Sequence, residues 1–315
     1  MPTLTDSQRA NLRWIFRGPG GIRAGWSVLI FVAILAVPAV PLRIAVIHFH
    51  LMPKGEIPPA LLFANEIGML AVILAATAIM ARIEKCSVWS YGLSGSRKLV
   101  HFLAGCLGGF AALSLVVTVL AVRGNLVFDG FALHGFPIVS YALIWLLGFI
   151  LVGMAEETMF RGYLQATLAR GIGFWPAAAV LSVLFAAGHV QNNGENAFGI
   201  AQVVAAGLAL CLLLRVSGSL WMSIGFHAAW DWGQSYFYGT PDSGLLMRGH
   251  LLITHAAGDP RFSGGTAGPE GSALATPMLV VAPLVLAWIC QRIGLFAPAA
   301  SPPVLPAITP AIGKA

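Results

Sequence analysis

The sequence predicts an all-α fold: a polytopic integral membrane protein of about eight transmembrane helices. Three observations predict it. Of 315 residues, 58% are hydrophobic and only 10% are charged, where a soluble domain carries about 25% charged residues. The mean hydropathy is +0.83. Apolar runs approaching the roughly 20 residues needed to cross a bilayer recur along the chain with short loops between them.

Taken in order, the first run is 25–47, preceded by Arg9, Arg13, Arg17 and Arg23. It is longer than the roughly 7–15 apolar residues of a signal core, so it reads as a retained span with a basic cytoplasmic flank. The runs 61–83 and 101–122 follow. The run 138–169 is too long for one simple crossing, since about 30 residues at 1.5 Å each reach about 45 Å. Its second half, with Arg161, Tyr163, Gln165 and Arg170, is polar enough to leave the membrane. The last four runs are 176–191, 197–216, 219–237 and 276–295.

This divides the chain into a basic segment 1–24, a membrane domain 25–296 with its motifs in 138–237, and a Pro- and Ala-rich tail 297–315 expected to be disordered. The longest loop is 238–275, and its Gly-rich stretch 262–268 reads as flexible. With the N-terminus inside, most Lys and Arg fall in cytoplasmic loops, as the positive-inside rule requires. An even number of spans then returns the C-terminus to the cytoplasm, and the expected location is a plasma membrane, taken as bacterial.

The net charge of +6 is spread over the loops, without a dense basic stripe, and so does not indicate a nucleic-acid partner. The lipid bilayer is the expected surrounding. Cys86, Cys106, Cys211 and Cys290 have neither metal-ligand nor redox spacing and read as small hydrophobes. His48 and His50, at a span end, carry little signal.

Function is concentrated in three of the apolar runs. Glu156 and Glu157 stand side by side at membrane depth, where a carboxylate costs roughly 2.5–3.5 kcal/mol on insertion scales and normally faces a polar cavity. Arg161 is four residues after Glu157, the favourable order for a helical ion pair. Glu156 points about 100° away and has no such partner. It is therefore the better general base. Phe185-Ala186-Ala187-Gly188-His189 places an imidazole beside small residues that allow close approach. His227 and Asp231 are four apart, on one helix face. Glu156 lies about as far before the break at Gly171-Ile172-Gly173 as His189 lies after it, so an antiparallel helix pair brings both to one level.

Each feature has a bland reading. His189 could simply bond a neighbouring helix, Glu157–Arg161 could be a structural pair, and Asp231 could merely orient His227. Two carboxylates, two histidines and an aspartate in three apolar runs argue for one shared site. Its chemistry would be water activation by a carboxylate and an imidazole, with an oxyanion stabilised opposite. No Ser or Cys in the motifs offers a nucleophile. The motifs establish no certain cofactor. A divalent metal such as zinc is allowed by the donor types of Glu156, His189, His227 and Asp231, although no His-Glu-x-x-His spacing is present.

The three motifs, Glu-Glu-x-x-x-Arg at 156–161, Phe-x-x-x-His at 185–189 and His-x-x-x-Asp at 227–231, resemble the CPBP intramembrane proteases. That family includes the CAAX prenyl endopeptidases and the bacterial Abi proteins. The flanks Phe160-Arg161-Gly162-Tyr163-Leu164-Gln165 and Gly218-Ser219-Leu220-Trp221 agree.

The resemblance implies an eight-helix fold and peptide-bond hydrolysis. Glu156 would activate water with His189, and His227 with Asp231 would form the oxyanion side. Glu157, Arg161 and Phe185 would support the site. Asp231 departs from the Asn of the CAAX endopeptidases: an ionised Asp cannot donate to an oxyanion. It would have to be protonated, orient His227 or bind a metal. Bacterial members often carry Asp there.

The expectation is an endopeptidase acting on membrane-associated or lipidated polypeptides, prenylated ones included, near the cytoplasmic leaflet. The alternatives are a non-catalytic bacteriocin-immunity or scaffold protein, and a proton-coupled transporter using Glu156, His189 and His227 as a relay.

Overall fold

The computed structural model describes residues 15–18, 21–49 and 55–296. Most of segment 1–24, His50 and the tail 297–315 lie outside the described residues. Each expected apolar run is helical. The helices are α1 (Ala24–His48), α2 (Pro59–Glu84), α3 (Lys98–Val122), α4 (Phe136–Glu157), α5 (Gln165–Ile172), α6 (Phe174–His189), α7 (Ala197–Ser217), α8 (Leu220–Trp232) and α9 (Thr276–Arg292). Five stretches are long and apolar enough to cross a membrane: α1, α2, α3, the run from α4 through α5, and α7. The helices α6 and α9 are apolar but shorter.

The long fourth run behaves as its length demands. A π-helical stretch, Thr158–Leu164, joins α4 to α5, so the backbone continues helically from Phe136 to Ile172. A second π-helical stretch, Gly233–Phe237, extends α8. π turns are rare and often sit at functional sites. Here each begins within two residues of an acidic residue singled out by the motifs, Glu157 or Asp231.

Large apolar side chains such as Val37, Leu107, Val183 and Leu284 are exposed on the outside of the bundle. This is the surface a lipid environment accepts, and it is where a soluble helix would carry charge. Inside, small residues let backbones touch. A Cβ on Gly105 would collide with the Met222 carbonyl, and one on Gly109 with the Phe226 carbonyl. On the facing helix, a Cβ on Gly225 would strike the Phe102 carbonyl. Glycine at these three positions lets α3 and α8 pack in direct backbone contact.

Bonds between distant loops define the two ends of the bundle. At one end, the Leu220 amide donates to the Gly92 carbonyl at 2.9 Å, Arg170 pairs with Glu84 at 2.7 Å, and Arg215 bonds the Leu295 carbonyl. At the other, the Ile57 amide donates to the Leu246 carbonyl at 2.8 Å and Arg43 bonds Gln191 at 2.9 Å. This second end carries a folded cap. Its frame is an antiparallel pair, β1 (Leu126–Phe131) and β2 (Leu252–Ala256), with Leu126 opposite Ala256.

The stretch 262–268 differs from the flexible loop expected of it. Ser263 and Ala267 are buried, and the Gly244 amide donates to the Ala267 carbonyl. Gly264 and Gly268 adopt φ of +81° and +107°, and a Cβ on Gly268 would strike the Pro241 carbonyl. The glycines serve tight turns and close packing here, not mobility.

The α3–α8 contact makes a direct prediction. Gly109→Ala should lower the midpoint of thermal unfolding in detergent, at a cost of about 1–3 kcal/mol typical of overpacking. Gly108→Ala, whose Cβ would meet only the edge of the Phe226 ring at 3.6 Å, should leave the midpoint nearly unchanged.

Candidate active site

The acid pair ends α4, and its two members have different surroundings. The Glu157 side chain is 0% exposed and that of Glu156 is 24% exposed. One Glu157 oxygen, Oε1, accepts from Arg161 Nη1 at 2.8 Å and from His227 Nδ1 at 2.9 Å. The acid-first spacing on one helix therefore produces the expected ion pair, and a histidine joins it from α8. Arg161 is itself only 1% exposed. Its Nη2 reaches the Gly207 carbonyl of α7 at 3.3 Å, and its guanidinium lies 4.3 Å from the centre of the Phe185 ring on α6. A cation over an aromatic face is stabilised by the ring quadrupole.

Phe185 also meets both histidines. Its ring centre is 4.8 Å from that of His189 and 6.1 Å from that of His227, the latter edge-on. The His189 Nδ1 lies 2.8 Å from the Phe185 carbonyl, one helical turn back. Nδ1 must carry the proton to make that bond, so Nε2 is the nitrogen with the free lone pair. The other face of His227 looks at two carboxylates: its Nε2 is 3.5 Å from Asp231 Oδ2 and 3.7 Å from Glu156 Oε2. That Glu156 oxygen is buried and has no hydrogen-bond partner.

Glu156, Phe185, His189, His227 and Asp231 all line one cavity of about 500 Å³, a usual size for a ligand site. The level match between Glu156 and His189 is thus realised in one chamber. The ionic neighbour of Glu156 within 4 Å is His227, however, and not His189.

The set Glu156, His189, His227 and Asp231 does not assemble as a metal site. Among the described residues, no group of three or more His, Cys, Asp or Glu converges in a metal-holding arrangement. The His227 Nδ1 is tied to Glu157 and the His189 Nδ1 to a carbonyl, which leaves the Nε2 of each ring as the nitrogen open to a ligand. All four cysteines are free.

Sequence reasoning missed three carboxylates on this cavity: Glu66, Asp242 and Glu270. Glu66 carried a readable signal, since it is an acid inside the apolar run 61–83. Asp242 and Glu270 lie in the loop 238–275 and reach the site only through the fold of the cap. The Glu270 carboxylate accepts from the Ser243 amide at 2.7 Å, and Asp242 accepts from the Ser235 hydroxyl at 3.1 Å. Burial, reinforced by the negative charge of Asp231 and Glu270, holds the Asp242 carboxyl well above its ordinary value. Burial raises Glu270 as well.

The fold and the site together define a polytopic helical membrane protein built around a buried glutamate–histidine cluster. Residues 138–233 match the family model described as type II CAAX prenyl endopeptidase Rce1-like. The matched segment contains all three motifs, and the family that the model describes is one of proteases. It bears out the resemblance drawn from the motifs. No curated protein matches the chain.

Two predictions come from this geometry. Arg161→Met should destabilise the protein by about 3–5 kcal/mol, because it leaves Glu157 buried with an uncompensated charge; the thermal midpoint in detergent reads this. The second concerns pH. A carboxyl whose folded value is raised binds its proton more tightly in the folded state. Its stabilising contribution is full below the unfolded carboxylate value of about 4 and is lost as pH rises through the raised value. The midpoint should therefore fall as pH rises through that window, and Asp242→Asn should make the fall shallower.

Proposed function

We propose that this chain is an intramembrane endopeptidase that hydrolyses peptide bonds in membrane-associated polypeptides with a water molecule activated by Glu156. The observation that carries the reading is that Glu156, whose Oε2 has no hydrogen-bond partner, lines a cavity shared with two histidines. The neighbouring carboxylate is already paired with Arg161, so Glu156 is the member of the acid pair available as a base. The family match over 138–233 supports a CAAX-protease-like activity.

In the proposed reaction, a water between Glu156 and the His189 Nε2 gives its proton to Glu156 and attacks the scissile carbonyl carbon. The developing oxyanion is met by the Nε2–H of a protonated His227, which Glu157 holds from behind through Nδ1. Collapse of the tetrahedral intermediate breaks the C–N bond, and the proton held by Glu156 passes to the leaving amine. Asp231, with Oδ2 at 3.5 Å from the His227 Nε2, acts by orienting that ring. This is the one of its three sequence-level roles that needs no proton on Asp231 and no metal. Both chain termini lie on the cytoplasmic side in this reading. The apolar cavity walls, with Phe149, Val152 and Met159 among them, suit an apolar side chain or a lipid-modified residue of the substrate.

The test is cleavage of a peptide library, with prenylated and unprenylated members, by detergent-purified full-length protein. Glu156→Gln should lower kcat/KM by about 100- to 10,000-fold, the usual contribution of a general base, while the thermal midpoint is retained. His189→Ala should act in the same direction. A chelator arm should leave the rate unchanged. Absence of cleavage by well-folded wild type across the library would shift the reading to a non-catalytic binding protein.

A further inference from the structure

We propose that the three cavity carboxylates left idle by the reaction, Glu66, Asp242 and Glu270, bind a basic side chain of the substrate, a lysine or arginine near the scissile bond. The proposal rests on the protease reading for the words substrate and scissile bond. The cation site itself stands on the cavity alone, through two observations.

The first is the charge of the lining. Five carboxyls, those of Glu66, Glu156, Asp231, Asp242 and Glu270, share the cavity with two imidazoles and with no Lys or Arg. Arg161 is engaged by Glu157 and does not line it. The proposed reaction uses Glu156 as base and Asp231 to orient a ring. The other three carboxyls come from α2 and from two parts of the cap, so separate segments bring unused acid to one chamber. Each lies within electrostatic reach of the proposed reacting groups: Glu66 of Glu156 and His227, Asp242 of His227 and Asp231, Glu270 of His189.

The second is a set of buried acceptors without donors. Glu66 is 6% exposed; its Oε1 accepts from the Asn65 amide at 2.7 Å, and its Oε2 is buried without a partner. Gln202, 2% exposed on α7, donates through Nε2 to the Ser272 carbonyl at 2.8 Å and the Thr276 hydroxyl at 3.0 Å. Those bonds fix which end of the amide is which, and they leave its Oε1 buried and unpaired. Both residues line the cavity. In the cap, the Ser243 amide and hydroxyl both donate to Oε1 of Glu270, and the Ser235 hydroxyl donates to Oδ2 of Asp242. Buried polar atoms are nearly always paired, so orphan acceptors on one wall mark a missing donor.

The group that fits such a wall is one that only donates. An ammonium offers three N–H donors and no acceptor, and a guanidinium five and none. Either also carries the charge that buried carboxylates need. Burial raises Asp242 and Glu270 above ordinary carboxylate values, and a cation arriving beside them offsets that desolvation. A bare metal ion does not fit, since no group of three or more His, Cys, Asp or Glu converges to hold one among the described residues. The apolar walls at Phe149, Val152 and Met159 suit the methylene stem of a long basic side chain. An acidic side chain would be repelled.

Peptide binding to detergent-purified full-length Glu156→Gln protein tests this, because that variant should not consume the peptide. The probes are short apolar peptides, acetylated at the N-terminus and carrying a neutral fluorophore at the C-terminus. They differ at one central position, which is Lys, Arg, Met or Glu. The Lys and Arg peptides should bind about 10-fold or more tighter than the Met peptide, the scale of one charge-assisted hydrogen bond, and the Glu peptide should bind weakest. Adding Glu66→Gln, Asp242→Asn and Glu270→Gln together should bring the Lys peptide to within about 3-fold of the Met peptide. Affinity for the Met peptide should hold, since Asn and Gln keep an oxygen for the Ser235 and Ser243 bonds.

Equal affinity for the Lys and Met peptides, or no binding of any member by the folded protein, would overturn the proposal; neither outcome depends on the substituted cap folding. A Lys preference that survives the three substitutions would do the same. A preference seen only with unacetylated peptides would overturn the side-chain assignment in favour of the terminal ammonium. Cleavage by wild type is scored separately. A Lys preference in binding without cleavage keeps the cation site and removes the protease reading, and cleavage without preference does the reverse.

Discussion

The burial of Glu157 organises this structure. A carboxylate with no exposure in the middle of a helical bundle is tolerated only if cations are brought to it, and desolvation makes the arrangement costly unless its geometry is good. Here two groups converge on one oxygen, Arg161 from the following π turn and His227 from α8. Arg161 in turn holds the α7 backbone at Gly207 and the α6 ring of Phe185. One buried charge thus ties four parts of the bundle to one point. It also decides which of the two adjacent acids is reactive. Successive residues on a helix point about 100° apart, so the inward acid collects Arg161 and the His227 Nδ1, while its neighbour lines the cavity with only the more distant His227 Nε2, at 3.7 Å, as an ionic partner. The structural pair and the proposed base are two outcomes of one dipeptide.

The cap adds a constraint of its own. A cavity that contains ionisable groups must be connected to water for hydrolysis, yet its walls must satisfy the polar backbone of a long loop. The loop 238–275 does this with its own turns. Ser243 caps onto Glu270, Asp259 accepts from the Arg261 amide at 2.9 Å, and the β2 strand pairs with β1. The polar groups of the cap are paired among themselves, while two of its carboxylates, Asp242 and Glu270, are turned toward the cavity.

Much of this was legible in the sequence. The eight apolar runs predicted helices to within a few residues, because membrane insertion rewards apolar length directly. The excess length of 138–169 foretold a polar extension, which is α5. The motif residues meet because helix periodicity and the break at Gly171–Gly173 fix their relative heights. Other features were hidden for physical reasons. The two π stretches have no sequence signature and arise from packing around the site. Asp242 and Glu270 reach the cavity only through loop tertiary structure. The glycines of 262–268 read as flexibility, since composition does not distinguish a mobile Gly from one placed for a tight turn. Glu66 was readable by the same rule that exposed Glu156, and was passed over because no motif surrounds it.

Asp231 shows how these constraints meet. Beside an oxyanion an ionised carboxylate is repulsive, so an Asp at this position must act on something else. The structure offers it His227, whose Nδ1 is already tied to Glu157. A ring hydrogen-bonded at Nδ1 and faced by a carboxylate 3.5 Å from Nε2 is restrained before substrate arrives. Preorganisation of this kind stabilises developing charge without reorganisation during the reaction. An Asn could donate to the oxyanion directly, but it would hold the imidazole with a neutral contact in place of a charged one. In the proposed reaction the Asp form of the motif shifts the work of charge stabilisation onto His227, so that the oxyanion side would depend on the Glu157–His227–Asp231 line rather than on Asp231 itself.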